Sequence, residues 1–376
     1  MPESGIETAI FQERLNRFVI RCRLGARRVR CYLPNPGRLW ELLLPGAEIL
    51  LEPAPPSSSG LPYRAVAVRK EGHPVMIDTH RANDLARLLI AKGMVPGLEG
   101  AMVVRREVKV GGSRLDFLLQ KGRERILLEV KSCTLYTQTA SLFPDAVTAR
   151  ARRQVEELVR WSRGGGRSVL LFLIYWPRAQ FFLPEYHTDL EFARAILDAR
   201  PDLEILPLAL DLREDLTPGL ESRLLRIPWE MVEREARDRG GYMVLLRLKE
   251  EVRIGVGRLG TVSFPAGHYL YVGSAEAHLS RRIERHRRRR KRLFWHLDYF
   301  RQVADFRLAL PFRTAERVEC HLARAVEQIA DWAIPGFGTS DCACSSHLLG
   351  MKGDPLQRAE FIALLQYFRV DRMFAP

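Results

Sequence analysis

A chain of 376 residues with 47% hydrophobic content is long enough for two or three packed domains at roughly 100 to 200 residues each, and excludes a single small one. Charged residues at 28%, with 27 Gly and 22 Pro, exclude wholesale disorder and a collagen-like repeat. The formal charge of +14, from 59 Lys and Arg against 45 Asp and Glu, points to a polyanionic partner.

No run of 18 or more apolar residues is present, and the start MPESGIETAIFQERL lacks a basic region leading into an apolar stretch and a cleavage site, so no membrane span is expected and the protein is read as cytoplasmic. Six Cys are too sparse for a disulfide scaffold; Cys22, Cys31 and Cys133 lie in strand-like apolar runs and are expected as buried thiols.

Residues 16 to 80 read as short strands. FVIRCRL and RRVRCYL flank Gly25-Ala26 as a hairpin, EILLE follows, YRAVAVRK alternates strictly and PVMID closes the set, which predicts a small OB-type barrel over 1–80 with a sandwich fragment as the alternative. PAPPSSSG at 53–60 is a predicted loop. Next come the helix NDLARLLIAKG, stopped by Gly93, the strands REVKV, RLDFLLQ and RILLEVKS, the amphipathic helix AVTARARRQVEELVRWS, and the continuous apolar strand SVLLFLIYW. In that helix Val147, Ala151, Val155, Leu158 and Val159 share one face. A helix near 189–199 and a strand in LEILPLAL complete an α/β layer over 81–228.

WEMVEREARDR at 229–239 reads as a helical linker into a third α/β segment, 239–376. Its predicted strands are YMVLLRL, VRIGVG and HYLYVGS, and its predicted helices lie around 276–291, 294–303 and 316–330. Residues 281–292 (RRIERHRRRRKR) hold nine Lys or Arg and one Glu, a net of +8, so more than half the charge imbalance sits in twelve residues. Arg287, Arg288, Arg289 and Arg290 are the predicted phosphate contacts, with a solvated helix face as the ordinary alternative.

Asp116 lies in RLDFLLQ, and Glu129 and Lys131 lie in LLEVKS across the turn KGRER. Residues i and i+2 of a strand share a face, so Glu129 and Lys131 project together, and a hairpin partner brings Asp116 beside them. Two carboxylates suit Mg²⁺ or Mn²⁺, and an adjacent lysine can orient water and stabilise charge on a phosphate. The pattern points to phosphodiester cleavage, against the ordinary reading of each carboxylate as a solvent-facing strand residue.

PNPGRLWELLLPG at 34–46, IDTHRAN at 77–83, SRLDFLL at 113–119, LLEVKSCTL at 127–135 and LFPDAVTAR at 142–150 closely resemble the sugar fermentation stimulation protein family, over roughly residues 10–230. The resemblance implies an N-terminal OB-fold, a PD-(D/E)XK nuclease-like domain, DNA binding, and a regulatory role in sugar metabolism. It places Glu107, Asp116, Glu129 and Lys131 on the acidic and basic positions of the nuclease site. On the barrel, Arg38, Arg64, Arg69 and Lys70 are candidates to track phosphates, with Tyr32, Trp40 and Tyr63 to stack on bases. Asn35 and Gly37 are assigned to turn chemistry.

GGY at 240–242, YVG at 271–273, Leu279, Arg282 and Glu319 resemble the GIY-YIG nuclease layout. By that resemblance Tyr242 and Tyr271 lie near the scissile phosphate, Arg282 stabilises developing charge and Glu319 holds the divalent metal. GHYLYVGSA, RIERH, FWHLDYF and GFGTSDCACSSHL resemble an uncharacterised GIY-YIG-like domain family over about 239–370. Typical nucleases differ in the 28 residues between Tyr242 and Tyr271, which leave room for VRIGVG and a loop. Cys342, Cys344 and His347 have a C-x-C-x2-H spacing, and Cys320 with His321 can approach from a helix. C-x-C is tighter than the usual zinc spacing, so small buried residues capped by Asp341 outrank Zn²⁺ here. His286, His296 and Asp298 are expected as hydrogen-bonded groups rather than ligands.

The expectation is an α/β multidomain protein in which an OB-type barrel, a PD-(D/E)XK-like domain and a GIY-YIG-like domain bind DNA and carry Mg²⁺-dependent nuclease chemistry. The alternative is a non-catalytic DNA-binding regulator. RNA as the polyanion stays open, because nothing in the sequence reads a 2′-hydroxyl.

Overall fold

The protein is described from a computed structural model over residues 5–54 and 60–374. Most of the predicted 53–60 loop lies outside the described residues. Two compact units divide the chain, one up to Glu185 with Glu191–Trp229 and one of Tyr186–Leu190 with residues from Glu230 onward.

The first unit opens with β1 (Glu7–Asn16), β2 (Val19–Leu24), β3 (Arg27–Tyr32), β4 (Glu48–Pro53), β5 (Tyr63–Lys70) and β6 (His73–Met76). Their order is β3-β2-β1-β4-β5-β6, and a parallel pairing of β3 with β5 closes five of them into a barrel. The hairpin turn between β2 and β3 rests on Gly25, whose φ of +55° a side chain would oppose. Two details differ from expectation. PVMID supplies β6, which lies antiparallel to β5 outside the closed set, and the remaining barrel strand is β1, before residue 16. Within β1, Ala9 and Phe11 are the buried residues and two register shifts interrupt its pairing with β2, so it carries almost no alternation to read.

The chain continues through α1 (Ala82–Ala91), β7 (Met102–Val110), β8 (Ser113–Lys121), β9 (Glu124–Cys133), β10 (Leu135–Tyr136), β11 (Ala140–Phe143), α2 (Ala149–Arg163), β12 (Arg167–Ile174), β13 (Phe181–Pro184), α3 (Leu190–Ala199), β14 (Glu204–Leu212) and β15 (Pro218–Leu224). Six of these strands form a mixed sheet in the order β15-β14-β12-β9-β8-β7, and β10, β11 and β13 form a small second one. β9, β12 and β14 are parallel. Val169–Ile174 of central β12 are wholly buried, which is why that strand reads as an unbroken apolar run. In α2, capped by the Thr148 hydroxyl accepting from Ala151 N at 3.2 Å, Ala151, Val155 and Leu158 are buried as expected. Val147 is 70% exposed, because it precedes the cap and lies off the helix. One continuous apolar core runs from the barrel into the mixed sheet.

The second unit holds α4 (Trp229–Glu235), β16 (Gly240–Leu248), β17 (Val252–Gly255), β18 (Thr261–Phe264), β19 (Gly267–Ala275), α5 (Leu279–Arg287), α6 (His296–Val303), β20 (Asp305–Arg313), α7 (Glu319–Glu327), β21 (Trp332–Ala333), β22 (Leu348–Met351) and α8 (Ala359–Arg369). Its antiparallel sheet has the order β20-β16-β19-β22-β21, and β17 with β18 forms the hairpin between Tyr242 and Tyr271. The expected linker helix is an integral element: Glu235 of α4 is buried and accepts from Ala315 N at 2.9 Å. β20, α8 and β22 were not legible as elements. β20 contains Pro311, which an edge strand tolerates because one side needs no donor. Residues Tyr186–Leu190 complete this unit through His187, whose ring nitrogens reach Arg313 N at 2.9 Å and Arg369 O at 2.8 Å. Among the described residues no helix is long and apolar enough to cross a membrane.

Candidate nuclease centre and a thiol–histidine cluster

Strand register builds the first site. Phe117 faces Leu128 and Arg106 faces Phe117, so one step along Asp116 falls opposite Glu129 and Glu107 opposite Asp116. Three carboxylate side chains therefore lie in a row across β7, β8 and β9. Asp116 Oδ2 accepts from Val130 N at 2.8 Å, its Oδ1 accepts from Asn83 Nδ2 at 2.7 Å, and its own N–H donates to Glu129 Oε2 at 3.2 Å. Lys131 Nζ donates to Glu129 Oε1 at 2.6 Å and to Gln154 Oε1 at 2.8 Å.

Glu129 is 2% exposed. Burial pushes its carboxyl up to about 7, with the nearby Asp116 charge adding to the rise and Lys131 opposing it. Glu107 is held apart from its two neighbours: its carboxylate pairs with Arg114 at 2.9 Å, and its φ of +52° is left-handed, a conformation that costs a non-glycine residue about 1–3 kcal/mol. Glu107, Arg114, Asp116, Arg150, Arg153 and Gln154 all line one cavity of about 470 Å³. Asn83, Gln154 and these arginines were missed as site residues. Gln154 did carry a signal, being the polar residue on the apolar face of α2; Asn83 ends the IDTHRAN motif.

The barrel candidates each have partners within the fold. Arg64 makes two 2.6 Å bonds to the buried Asp78 carboxylate, and Arg69 bonds Glu48 at 3.0 Å and Glu214 at 2.5 and 2.8 Å. Both guanidinium groups are engaged by carboxylates. Lys70 Nζ stands 5.0 Å over the Trp176 ring and the Arg38 guanidinium 4.8 Å over Trp40; Tyr32 lies beneath Arg64 at 5.8 Å, and Tyr63 is half-buried. Asn35 Oδ1 accepts from Gly37 N at 2.8 Å, a side-chain turn as expected.

In the second unit β16 pairs Tyr242 with Gly273 and Val244 with Tyr271 of β19. Gly273 is required, since a Cβ there would sit 2.5 Å from the Tyr242 hydroxyl. Tyr242 is 2% exposed, and its hydroxyl shares a 2.8 Å hydrogen bond with Nε2 of buried His286, whose pKa burial lowers to about 3. The Tyr242 and Tyr271 rings are 6.3 Å apart, and burial pushes both phenols well up. Arg282 and Arg285 stack on Trp295 at 4.5 and 4.2 Å. Asp298 is fully buried and accepts from Arg285 at 2.9 and 2.8 Å, while His296 Nδ1 accepts from Gly338 N at 3.0 Å. Arg287 to Arg290 are exposed; Arg287 lies 3.8 Å from Glu284 and Arg289 3.1 Å from Asp305.

Glu319 starts α7 on the wall of a cavity of about 570 Å³ that also holds Ser274, Cys320, Asp341, Cys342 and His347. Its Oε2 accepts from the Ser274 hydroxyl, and its Oε1 lies 3.2 Å from His347 Nδ1. Burial pushes the Glu319 carboxyl up, but the contacts with His347 and Ser274 outweigh it and hold the group below its ordinary range. Cys320, Cys342, Cys344 and His347 converge, their sulfur and nitrogen atoms all within 4.8 Å of one another. On this loop His347 is buried, whereas Cys342 and Cys344 are half-buried and, with Cys320 of α7, face that histidine. Burial and then the facing Cys344 thiol push Cys320 up to about 12.

Residues 13–77 match the SfsA N-terminal OB domain and 80–215 the sugar fermentation stimulation protein RE domain. A sugar fermentation stimulation protein homolog of Methanothermobacter thermautotrophicus is 38% identical over 54% of this chain and 85% of its own. The chain belongs to the sugar fermentation stimulation protein family. A homolog from Chloroflexus aurantiacus is 36% identical over 51% of this chain and 74% of its own. A solved structure of Pyrococcus furiosus SfsA in complex with Ca²⁺ aligns with a TM-score of 0.55 at 29% identity, covering 60% of this chain and 97% of that one. Residues 241–369 match the domain of unknown function DUF123. The fold class is thus a mixed α/β multidomain one, as expected: an OB barrel, a central sugar fermentation stimulation protein domain and a C-terminal DUF123 domain.

Proposed function

We propose that this family member binds DNA and cleaves phosphodiester bonds at the Asp116, Glu129 and Lys131 centre, with a divalent metal as cofactor. The observation that carries the reading is Asp116, which lines one cavity with Arg114, Arg150, Arg153 and Gln154 and is joined behind it to Glu129 and Lys131 by hydrogen bonds. The residues fit a hard cation. Two carboxylates lie on neighbouring strands, and the one lysine beside them bonds Glu129 but not Asp116, so two sets of hard oxygens face a single cation, a donor set that suits Mg²⁺ or Mn²⁺. Asp116 and Glu129 would hold the metal, with Glu107 at the rim; it supplies charge neutralisation at the phosphate. The Pyrococcus furiosus relative was solved with Ca²⁺, another oxygen-seeking cation.

Lys131 is proposed to hold the attacking water through the ammonium that now bridges Glu129 and Gln154. Arg114, Arg150 and Arg153 supply phosphate contacts in the first unit, and Arg287 to Arg290 are separate phosphate contacts of the second. Within this reading 1–80 is the barrel domain, 81–228 the nuclease-like domain and 239–376 the GIY-YIG-like domain.

A second, non-catalytic role suits the GIY-YIG-like domain. Its Tyr242 hydroxyl is turned onto His286 and Glu319 is held by Ser274 and His347, so it is proposed as a DNA platform rather than a second cutting centre. The deciding experiment offers labelled single- and double-stranded DNA and RNA to the full chain with Mg²⁺ or Mn²⁺. Glu129→Gln should abolish cleavage while DNA affinity holds or tightens, and Lys131→Ala should slow turnover with less effect on metal binding. Binding without cleavage under either metal would overturn the nuclease reading in favour of a DNA-binding regulator.

A further inference from the structure

Three cysteines and one histidine from two separate stretches of chain meet in the second unit, and Cys320, Cys342 and His347 of them line its cavity. Cys320 is the second residue of α7, whereas Cys342, Cys344 and His347 come from the loop between β21 and β22. That loop is fixed by its backbone: His347 N donates to Phe337 O at 2.8 Å, Gly336 N to Ser345 O at 2.9 Å, and Val272 N of β19 to His347 O at 2.9 Å. Gly338 has φ +75°, and a Cβ there would stand 3.1 Å from that of His347, so the loop folds over the histidine too closely for a side chain.

We propose that Cys320, Cys342, Cys344 and His347 form a closed tetrahedral zinc site that fastens the first turn of α7 to this loop, with Glu319 holding His347 from behind. The distances match the polyhedron. Zinc bonds of about 2.3 Å to sulfur and 2.0–2.1 Å to nitrogen give tetrahedral edges of about 3.8 Å between sulfurs and about 3.5 Å between sulfur and nitrogen. Cys342 Sγ is already 3.5 Å from His347 Nε2, and the remaining ligand separations, at most 4.8 Å, need only small rotations of cysteine side chains.

The donor set selects the metal. Three thiols and an imidazole are soft and borderline ligands that suit Zn²⁺ and reject Mg²⁺ and Ca²⁺. Four protein ligands leave no open position, which is the structural kind of zinc site. His347 is 1% exposed and presents Nε2 to the sulfurs, while Nδ1 lies 3.2 Å from Glu319 Oε1. A carboxylate behind the far ring nitrogen fixes the tautomer that leaves Nε2 as the ligand. Glu319 is accordingly a positioning residue for this site, not a free ligand for a hard cation, and this assignment stands whether or not the chain cuts DNA.

The test is metal content of the full chain, purified reduced from zinc-supplemented culture, by elemental analysis. One zinc per chain is expected, released by a mercurial thiol reagent, and the Co²⁺-exchanged protein should show tetrahedral d–d bands with sulfur-to-cobalt charge transfer. Cys342→Ser/Cys344→Ser should lose the zinc, and His347→Cys should keep it as a four-thiolate site. Glu319→Gln should retain the metal but compete about 10- to 100-fold less well against a chelator. Zinc in the wild type no higher than in Cys342→Ser/Cys344→Ser, stoichiometric iron, or a disulfide among the three cysteines would each overturn the site. Unchanged chelator competition in Glu319→Gln would overturn its positioning role.

Discussion

Replacing Glu129 by Gln should remove a pH-dependent penalty that burial imposes on the folded chain. Burial pushes the carboxyl up to about 7 from an ordinary 4.5, which at 1.36 kcal/mol per pH unit amounts to about 3 kcal/mol. Because the folded value is raised, the associated stability is fully present below 4.5 and is lost as pH climbs through 7. Glutamine cannot ionise, so the difference in unfolding free energy between variant and wild type should move by about 3 kcal/mol in the variant's favour between pH 4.5 and 8. Equilibrium urea unfolding of both proteins in chelator, at half-unit pH steps, measures it. Adding Mg²⁺ at pH 8 should restore the wild type, by about 2.7 kcal/mol at a hundredfold excess over its dissociation constant, and leave the variant unmoved. A difference that stays constant with pH, or equal stabilisation of both proteins by Mg²⁺, would refute the buried-carboxylate argument.

Changing Arg287, Arg288, Arg289 and Arg290 to Ala should reduce the slope of log K against log salt for duplex DNA by about 2 to 4, at about 0.9 per phosphate contact, the lower end applying if Glu284 and Asp305 already neutralise Arg287 and Arg289; filter binding across salt concentrations reads it, and an unchanged slope would make the tract a solvated face. Asp298→Asn breaks a fully buried carboxylate bonded by Arg285 and 2.8 Å from Lys291 and should cost about 3–5 kcal/mol in thermal unfolding. Those partners outweigh burial and hold its pKa to about 2, so this stability is present above the ordinary 3.8 and fades as pH falls through 2; an unaltered melting profile would contradict it. His187→Ala should leave the buried Arg313 N–H without its acceptor and destabilise the second unit by about 1–3 kcal/mol, visible as faster amide exchange at Arg313.

The backbone period put Glu129 and Lys131 on one face from sequence alone, because side chains alternate along a strand whatever the rest of the chain does. The continuous apolar run of β12, the hairpin at Gly25 and the ordered family motifs are local in the same sense, and they carried the fold class. What each charge meets is not local. Arg64 is paired with Asp78, and Arg69 with Glu214, 145 residues away in sequence. Gln154 reaches Lys131 only once α2 lies on the sheet. Cys320 stands 22 residues before Cys342, and the C-x-C spacing by itself argued against a zinc site. Tertiary folding decided which of these groups meet, because the free energy of an ion pair or of a thiol–histidine cluster depends on distances set by chain closure, which periodicity and composition do not contain.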